Sequence, residues 1–310
     1  DMEPDSLTRF YQIDFRPSLE WNFDGDLVGA SAFLGSVQQW SNFWMSSTAL
    51  SGHLETDDDR LTRGGPVART PAGWSISQWI STDQRKSYSF NGQFTYARNA
   101  RGGWGIMPSV AVTVRPASAM EVSLEPSLRR TSARAQYVGA VADETASRTF
   151  GSRYVFSNLD QTVLSLDTRV SWTFTPRLSL QLYMQPFLAR GDYQAFKELH
   201  RPRKWGWDVY GEEVGTITEV DGGYEIDPDG SGAAEAFTLP NPDFNVRSLR
   251  GNAVLRWEYR PGSTVYLVWQ QRRFGTAPYG ETGLLDDAEE LWSIPPENVF
   301  ALKVSYWWGR

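Results

Sequence analysis

Successive side chains of a β-strand point to opposite faces, so a strand with one charge-free face must give that face to an apolar surrounding. Eight segments of this chain alternate in that way. In Leu249–Tyr259 the odd positions are Leu249, Gly251, Ala253, Leu255, Trp257 and Tyr259. Between them stand Arg250, Asn252, Val254, Arg256 and Glu258. The same split runs through Tyr11–Phe23, Tyr88–Tyr96, Val110–Arg115, Met120–Pro126, Leu164–Phe174, Leu178–Gln185 and Phe300–Trp308. A membrane β-barrel strand has this signature, apolar toward lipid and polar toward the lumen. A soluble antiparallel sandwich also alternates. The segments here run about 10 to 14 residues, the length a tilted strand needs to cross a bilayer, which favours the barrel.

Aromatic residues make up 14% of the 310 positions, with 14 Trp, 13 Tyr and 16 Phe. Barrels gather such residues in girdles at the two interfaces. Mean hydropathy is −0.45, as expected where only every second residue meets lipid, and no run of about 18 apolar residues offers a spanning helix. Helical periodicity is hard to find anywhere. The chain has no cysteine, which excludes disulfides, zinc–thiolate sites and thiol catalysis. Net charge is −7 and no basic stripe exists, so nucleic acid is not an expected partner. The start, Asp1-Met2-Glu3-Pro4-Asp5, is not a signal peptide. The expectation is therefore a processed chain or a fragment, with room for further strands before Asp1.

The pattern predicts an all-β fold: a transmembrane antiparallel up-and-down β-barrel of about twelve strands, forming one domain over 1–310. The strands are expected at roughly 9–23, 27–39, 42–54, 73–82, 86–98, 104–115, 118–130, 154–174, 178–192, 248–260, 263–274 and 298–308. Short connections carry proline or glycine or are compact polar turns: Thr82-Asp83-Gln84-Arg85, Arg115-Pro116-Ala117-Ser118, Thr175-Pro176-Arg177 and Arg260-Pro261-Gly262-Ser263. These would be periplasmic turns. The long connections, about 55–72, 131–153, 193–247 and 275–297, would be extracellular loops. Asp24-Gly25-Asp26 and the Asn99–Gly103 stretch fall on the loop side by parity. Tyr11, Trp172, Phe174, Trp257, Tyr259, Tyr306 and Trp308 fall beside the short turns and would form one girdle. Pro17, Pro108, Pro126 and Pro186 fall mid-strand, where bulges or kinks are expected. Gly29, Ser31 and Gly35 are read as a small-residue patch on the lipid face.

Several stretches resemble the outer-membrane barrel region of the DUF5916 family of Gram-negative bacteria. The most specific runs from Pro242-Asp243-Phe244-Asn245 through Ser248-Leu249-Arg250-Gly251-Asn252 and Leu255-Arg256-Trp257-Glu258-Tyr259-Arg260-Pro261-Gly262-Ser263-Thr264 to Val268-Trp269-Gln270-Gln271. Gln136-Tyr137-Val138, Leu182-Tyr183-Met184-Gln185-Pro186-Phe187, Gly191-Asp192-Tyr193, Asn298-Val299-Phe300 and Lys303-Val304-Ser305-Tyr306 add to it. Together these cover roughly the last two-thirds of the chain. The resemblance implies a barrel in the bacterial outer membrane. Family members often carry an N-terminal carbohydrate-binding-like domain, which this chain does not show. The resemblance implies no activity.

Three places are candidates for function. The lumen would hold Asp14, Arg16, Glu20, Arg115, Glu121, Glu125, Asp167, Arg169, Arg250, Arg256, Glu258, Arg260, Arg272 and Lys303. That mixture of signs suits ion-paired filling or a selective path. The stretch 193–247 is long enough to cover or enter the mouth, and its Trp205, Trp207, Tyr210 and Tyr224 offer ring faces to a ligand or partner. Within it Asp227, Asp229 and Ser231 resemble part of a calcium loop, although Glu235 comes too early for the terminal ligand. Calcium is the one cofactor considered, and the main expectation is none. The expected role is a transport or export pore of the outer membrane. The alternative is a structural anchor or subunit of a cell-surface assembly, in contact with lipids and other membrane proteins. An outer-membrane hydrolase is the remote alternative, and enzymatic activity is not the main expectation: only His53 and His200 exist, and no spacing places a serine or aspartate beside either.

Overall fold

A computed structural model describes residues 7–279 and 283–308. The Asp1–Asp5 start discussed above lies outside the described residues. In chain order the elements are β1 (Thr8–Trp21), β2 (Leu27–Trp40), β3 (Met45–His53), the short β4 (Thr56–Asp58) and β5 (Ala68–Thr70), β6 (Gly73–Ser81), β7 (Tyr88–Asn99), β8 (Trp104–Ala117) and β9 (Met120–Ala142). Then come β10 (Ser152–Thr175), β11 (Leu178–Leu199), β12 (Trp207–Val209), β13 (Thr216–Val220), β14 (Gly223–Asp227), β15 (Phe237–Pro240), β16 (Phe244–Arg260), β17 (Ser263–Ala277), one helix α1 (Leu284–Ser293) and β18 (Glu297–Ser305).

Twelve strands form one antiparallel wall in the order β1-β2-β3-β6-β7-β8-β9-β10-β11-β16-β17-β18, with β12 added to β11. This is the all-β, up-and-down architecture of a β-barrel wall. The ladder runs from β1 to β18, and among the described residues these two edges do not pair. The wall is nonetheless rolled. Arg203, beyond the ninth wall strand, bonds to Asp26 in the turn between the first two. Neighbouring strands lie about 4.8 Å apart, so in a flat sheet these turns would stand roughly 35 Å apart.

Register fixes which residues share a face. Leu182, Ala253 and Trp269 are level across β11, β16 and β17, as are Leu180, Leu255 and Leu267. Phe300 and Leu302 continue these rows on β18. The opposite face carries Tyr183, Asn252 and Gln270 in register. The apolar face is conspicuously open: Ile13 and Phe15 are each 66% exposed, Leu302 65% and Phe300 77%. The aromatics at the turn end pair along their strands, Trp172 with Phe174 at 4.2 Å, Trp257 with Tyr259 at 6.0 Å and Tyr306 with Trp308 at 6.1 Å.

Four details differ from the sequence expectations. First, β9, β10 and β11 continue far beyond their neighbours, so 131–142 and 193–199 are strand rather than loop. The pairing slips between Ser157 and Leu159 on one side of β10 and between Phe156 and Asn158 on the other. Ala195 sits at φ +50° in the second slip. These bulges break the alternation that a strand pattern relies on. Second, no slip occurs at Pro17, Pro108, Pro126 or Pro186. Third, Gly29, Ser31 and Gly35 pair with Glu20, Ser18 and Asp14, which puts them on the charged face, not the lipid-type one. Fourth, the 275–297 connection contains α1. Its stripe Asp287, Ala288 and Leu291 packs on Leu188 and Leu249, on the wall's apolar face. A fully buried Asp287 at a core position hides this stripe from any hydrophobic pattern.

Candidate functional site

The polar face of the wall holds the charges predicted for a lumen, and several are paired locally. Arg115 meets Glu121 at 2.7 Å and Arg256 meets Glu258 at 3.4 Å. Asp167 accepts a bond from the Tyr183 hydroxyl at 2.6 Å and from the Gln185 amide at 3.2 Å, with Arg169 at 3.6 Å. Glu125 stands opposite Asp167 in the β9–β10 ladder. On β1, Asp14 accepts from Gln12, Arg16 lies 4.4 Å over the Phe33 ring, and Glu20 packs against Gly29. Lys303 sits 5.9 Å from the Tyr266 ring and Arg260 bonds to the Tyr306 hydroxyl. Arg250 and Arg272 face each other directly across β16 and β17.

At the loop end of the apolar face a cluster of charges lies beneath α1. Arg190 and Arg247 both pair with the buried Asp287, Arg247 also with Glu290, and Asn245 donates to Asp287 at 3.1 Å. Arg273 donates to the carbonyls of Trp292 and Ile294 at the helix C-terminus, where the backbone dipole favours a cation. The helix thus supplies partners for cations that an apolar surrounding would not tolerate.

A folded cap stands at the loop end. β13, β14 and β15 form a three-stranded sheet that packs Ile226 and Leu239 on Val155, Phe196 and Tyr210. Val155 pairs with Glu198, and below the bulges the odd positions of β10 are those of Asp167 and Arg169. The cap therefore lies on the polar-face side of the β10–β11 extension. The other side packs on the 59–67 segment and β12: Arg63 lies 4.6 Å over Tyr137, and Phe156 stacks on Trp207 at 4.6 Å. Arg153, 8% exposed, bonds Asp143 at 2.5 Å and Glu198 at 2.7 Å, and Glu198 accepts from the Tyr210 hydroxyl at 2.9 Å. Burial pushes the Asp143 carboxyl up, but bonds from Thr145 and Arg153 outweigh it and hold the group below its usual range. Burial raises the Tyr210 phenol, and Glu198 raises it further.

The loop aromatics are mostly structural in this arrangement. Tyr210 is 3% exposed, so the expectation that it contacts a ligand or partner is corrected: it is cap core. Tyr224 stacks on Phe196 at 4.6 Å, and Trp205 meets Trp207 edge-on at 5.3 Å. The calcium-like stretch is a turn closed on itself. Asp227 Oδ1 accepts the Gly230 N–H at 2.8 Å and Asp229 Oδ2 the Ala234 N–H at 3.0 Å. Ser231 lies within that turn, its N–H bonding the Asp229 carbonyl. No metal-holding cluster of acids or histidines occurs among the described residues.

Sequence spacing missed two arrangements. His200 Nδ1 lies 2.7 Å from Asp208, in a cavity of about 140 Å³ that Ser147 also lines. The other ring nitrogen is 3.4 Å from the Arg148 guanidinium. A cation therefore stands where a catalytic dyad would need a hydroxyl or water. The second is Arg203, which bonds Asp26 at 2.7 and 2.9 Å and Asp57 at 3.0 Å. With Asn22 to Asp59 and Arg101 to Glu55, it ties loops from distant strands into one crown. Partners 177 positions apart leave no local signal.

The family model described as "Domain of unknown function (DUF5916)" matches residues 2–308. None of the curated proteins compared with the chain matches it. Among solved structures, the siderophore receptor PiuA from Acinetobacter baumannii is similar over 94% of this chain and 46% of its own, with 8% identity and a TM-score of 0.48. The chain thus spans about half the length of that receptor. The NanC porin is similar over 96% of this chain and 100% of its own, with 11% identity and a TM-score of 0.28.

Proposed function

The chain belongs to the DUF5916 family, and from that premise we propose that it is the wall of an outer-membrane β-barrel that carries solute through its lumen. One observation supports this above the rest: the division of a twelve-strand wall into an open apolar face and a charged face. Soluble proteins rarely expose contiguous apolar patches beyond a few hundred Å². In a bilayer the same face meets hydrocarbon, and the charged face meets water. The paired aromatics at the turn end would then sit at the periplasmic interface, and the crown and cap outside the cell.

The test is single-channel conductance in a planar bilayer, of the intact protein and of a variant with residues 212–241 replaced by a short Gly-Ser linker. Conductance in either form supports a pore. Silence in both, with insertion verified, overturns it. A second reading, a plugged anchor for a surface assembly, is favoured by the crown, because Arg203 and Asp26 tie opposite sides of the rolled wall together. It predicts that silence in both forms.

A further inference from the structure

We infer that the Arg250–Arg272 pair is an anion-binding station on the lumen wall, suited to a small carboxylate or phosphate; the inference rests on the pore reading above. The two arginines occupy directly opposed positions on β16 and β17. Like charges so placed are destabilising unless something neutralises them. Three other arginines of this face have an acid: Arg115 has Glu121, Arg169 has Asp167 and Arg256 has Glu258, while Arg16 has the Phe33 ring instead. Among the described residues, neither Arg250 nor Arg272 has a carboxylate within ion-pair distance. Glu297 is level with Arg272 on β18 without closing a bridge to it.

Around the pair is a cavity of about 540 Å³, lined by Tyr183, Arg250, Asn252, Gln270, Arg272 and Glu297. Two guanidinium forks suit the planar, two-oxygen geometry of carboxylate and phosphate. Asn252 adds an amide whose buried oxygen has no hydrogen-bond partner. Turned about its last bond, that amide offers its NH₂ to the cavity. Glu297 leaves the site with a net charge of about +1, weak enough for release, as a conducting path requires. Arg250 lies ten residues up β16 from Arg260, roughly 30 Å along the strand. That places the station near the outer mouth, under the cap.

The test uses the full chain in detergent micelles and citrate and inorganic phosphate as probes. Titration calorimetry should show binding of at least one probe. Arg250→Gln combined with Arg272→Gln should weaken it about tenfold or more, the loss of charge-assisted hydrogen bonds. Arg256→Gln, which touches a paired cation, should leave it unchanged. No binding of either probe, or equal loss in Arg256→Gln, overturns the station. In bilayers with a KCl gradient, a conducting form should favour chloride over potassium, and the double variant should reverse that preference. Conductance that stays cation-selective in the unsubstituted protein also overturns the station while leaving the pore intact. Silence removes the pore reading, and the micelle titration still decides the station.

Discussion

Arg203 and Asp26, 177 positions apart, are joined by two bonds of 2.7 and 2.9 Å, so the turn beyond β11 is fastened to the turn between β1 and β2. The Arg203 hydrogen bond is also the main cause that holds the Asp26 carboxyl below its usual range. A group lowered in this way favours the folded crown above its unfolded pKa. That contribution fades as pH falls through the folded value. Arg203 is half-exposed, and exposed ion pairs contribute little to global stability. Arg203→Ala should therefore leave the global melting temperature nearly unchanged and speed trypsin cleavage after Lys204. Unaltered cleavage would show that the crown is held by other contacts.

The β16 register predicts two opposite outcomes from adjacent positions. Leu255 lies on the apolar face of the wall and Arg256 on the polar face, where it pairs with Glu258. Leu255→Arg should impair assembly, since arginine at mid-membrane on the lipid face costs about 2–4 kcal/mol. Arg256→Leu should assemble nearly normally. Heat-modifiable mobility in gels, scored as the folded fraction, checks both.

Arg153 is buried with Asp143 and Glu198. Removing one partner of a buried ion pair costs about 3–5 kcal/mol, because the other charge is left unpaired. Arg153→Met should therefore unfold the cap but not the wall. Amide hydrogen exchange should rise in 143–155 and 196–240 and stay low in β16 and β17. A uniform rise would mean that cap and wall fold as one unit.

Lys197 lies beyond the Ala195 bulge, outside the spanning band, with Nζ 2.7 Å from Asn158 Oδ1. Burial, and secondarily Arg134, push its amine down to about 8. The unfolded chain holds the proton up to about 10.4, so between about 8 and 10.4 the unfolded state binds more protons. Cap stability from this group should rise with pH across that window and be flat below it. NMR of the reductively methylated protein should show one lysine titrating near 8. Titration of all lysines near 10 would contradict the burial.

Much of the wall was legible because alternation needs only local pattern, as in Leu249–Tyr259, and twelve strands were expected where twelve are found. The family resemblance, read over the last two-thirds, extends to residues 2–308. Strands β2, β3 and β6 are absent from the eight cleanly alternating segments for a visible reason. Gln38, Ser46, Thr48 and Gln78 fall on the otherwise apolar face and satisfy each other, Ser46 with Gln38 at 3.1 Å and Thr48 with Gln78 at 2.6 Å. The cap was hidden by bulges that break the period, and α1 by a buried aspartate whose partners come from other strands. Arg250 was visible as a lumen charge. Its facing of Arg272 was not, because that depends on the register across the Arg260–Ser263 turn.

The central claim is that this sheet meets lipid on one face and water on the other. The chain has no cysteine, so single cysteines at Leu255 and Arg256 can each carry a spin label in reconstituted vesicles. Collision rates with oxygen and with a water-soluble nickel chelate report the surroundings of each label. The Leu255 label should collide mainly with oxygen and the Arg256 label mainly with nickel. Equal nickel accessibility at both positions, or the reverse order, would contradict a membrane wall with this register.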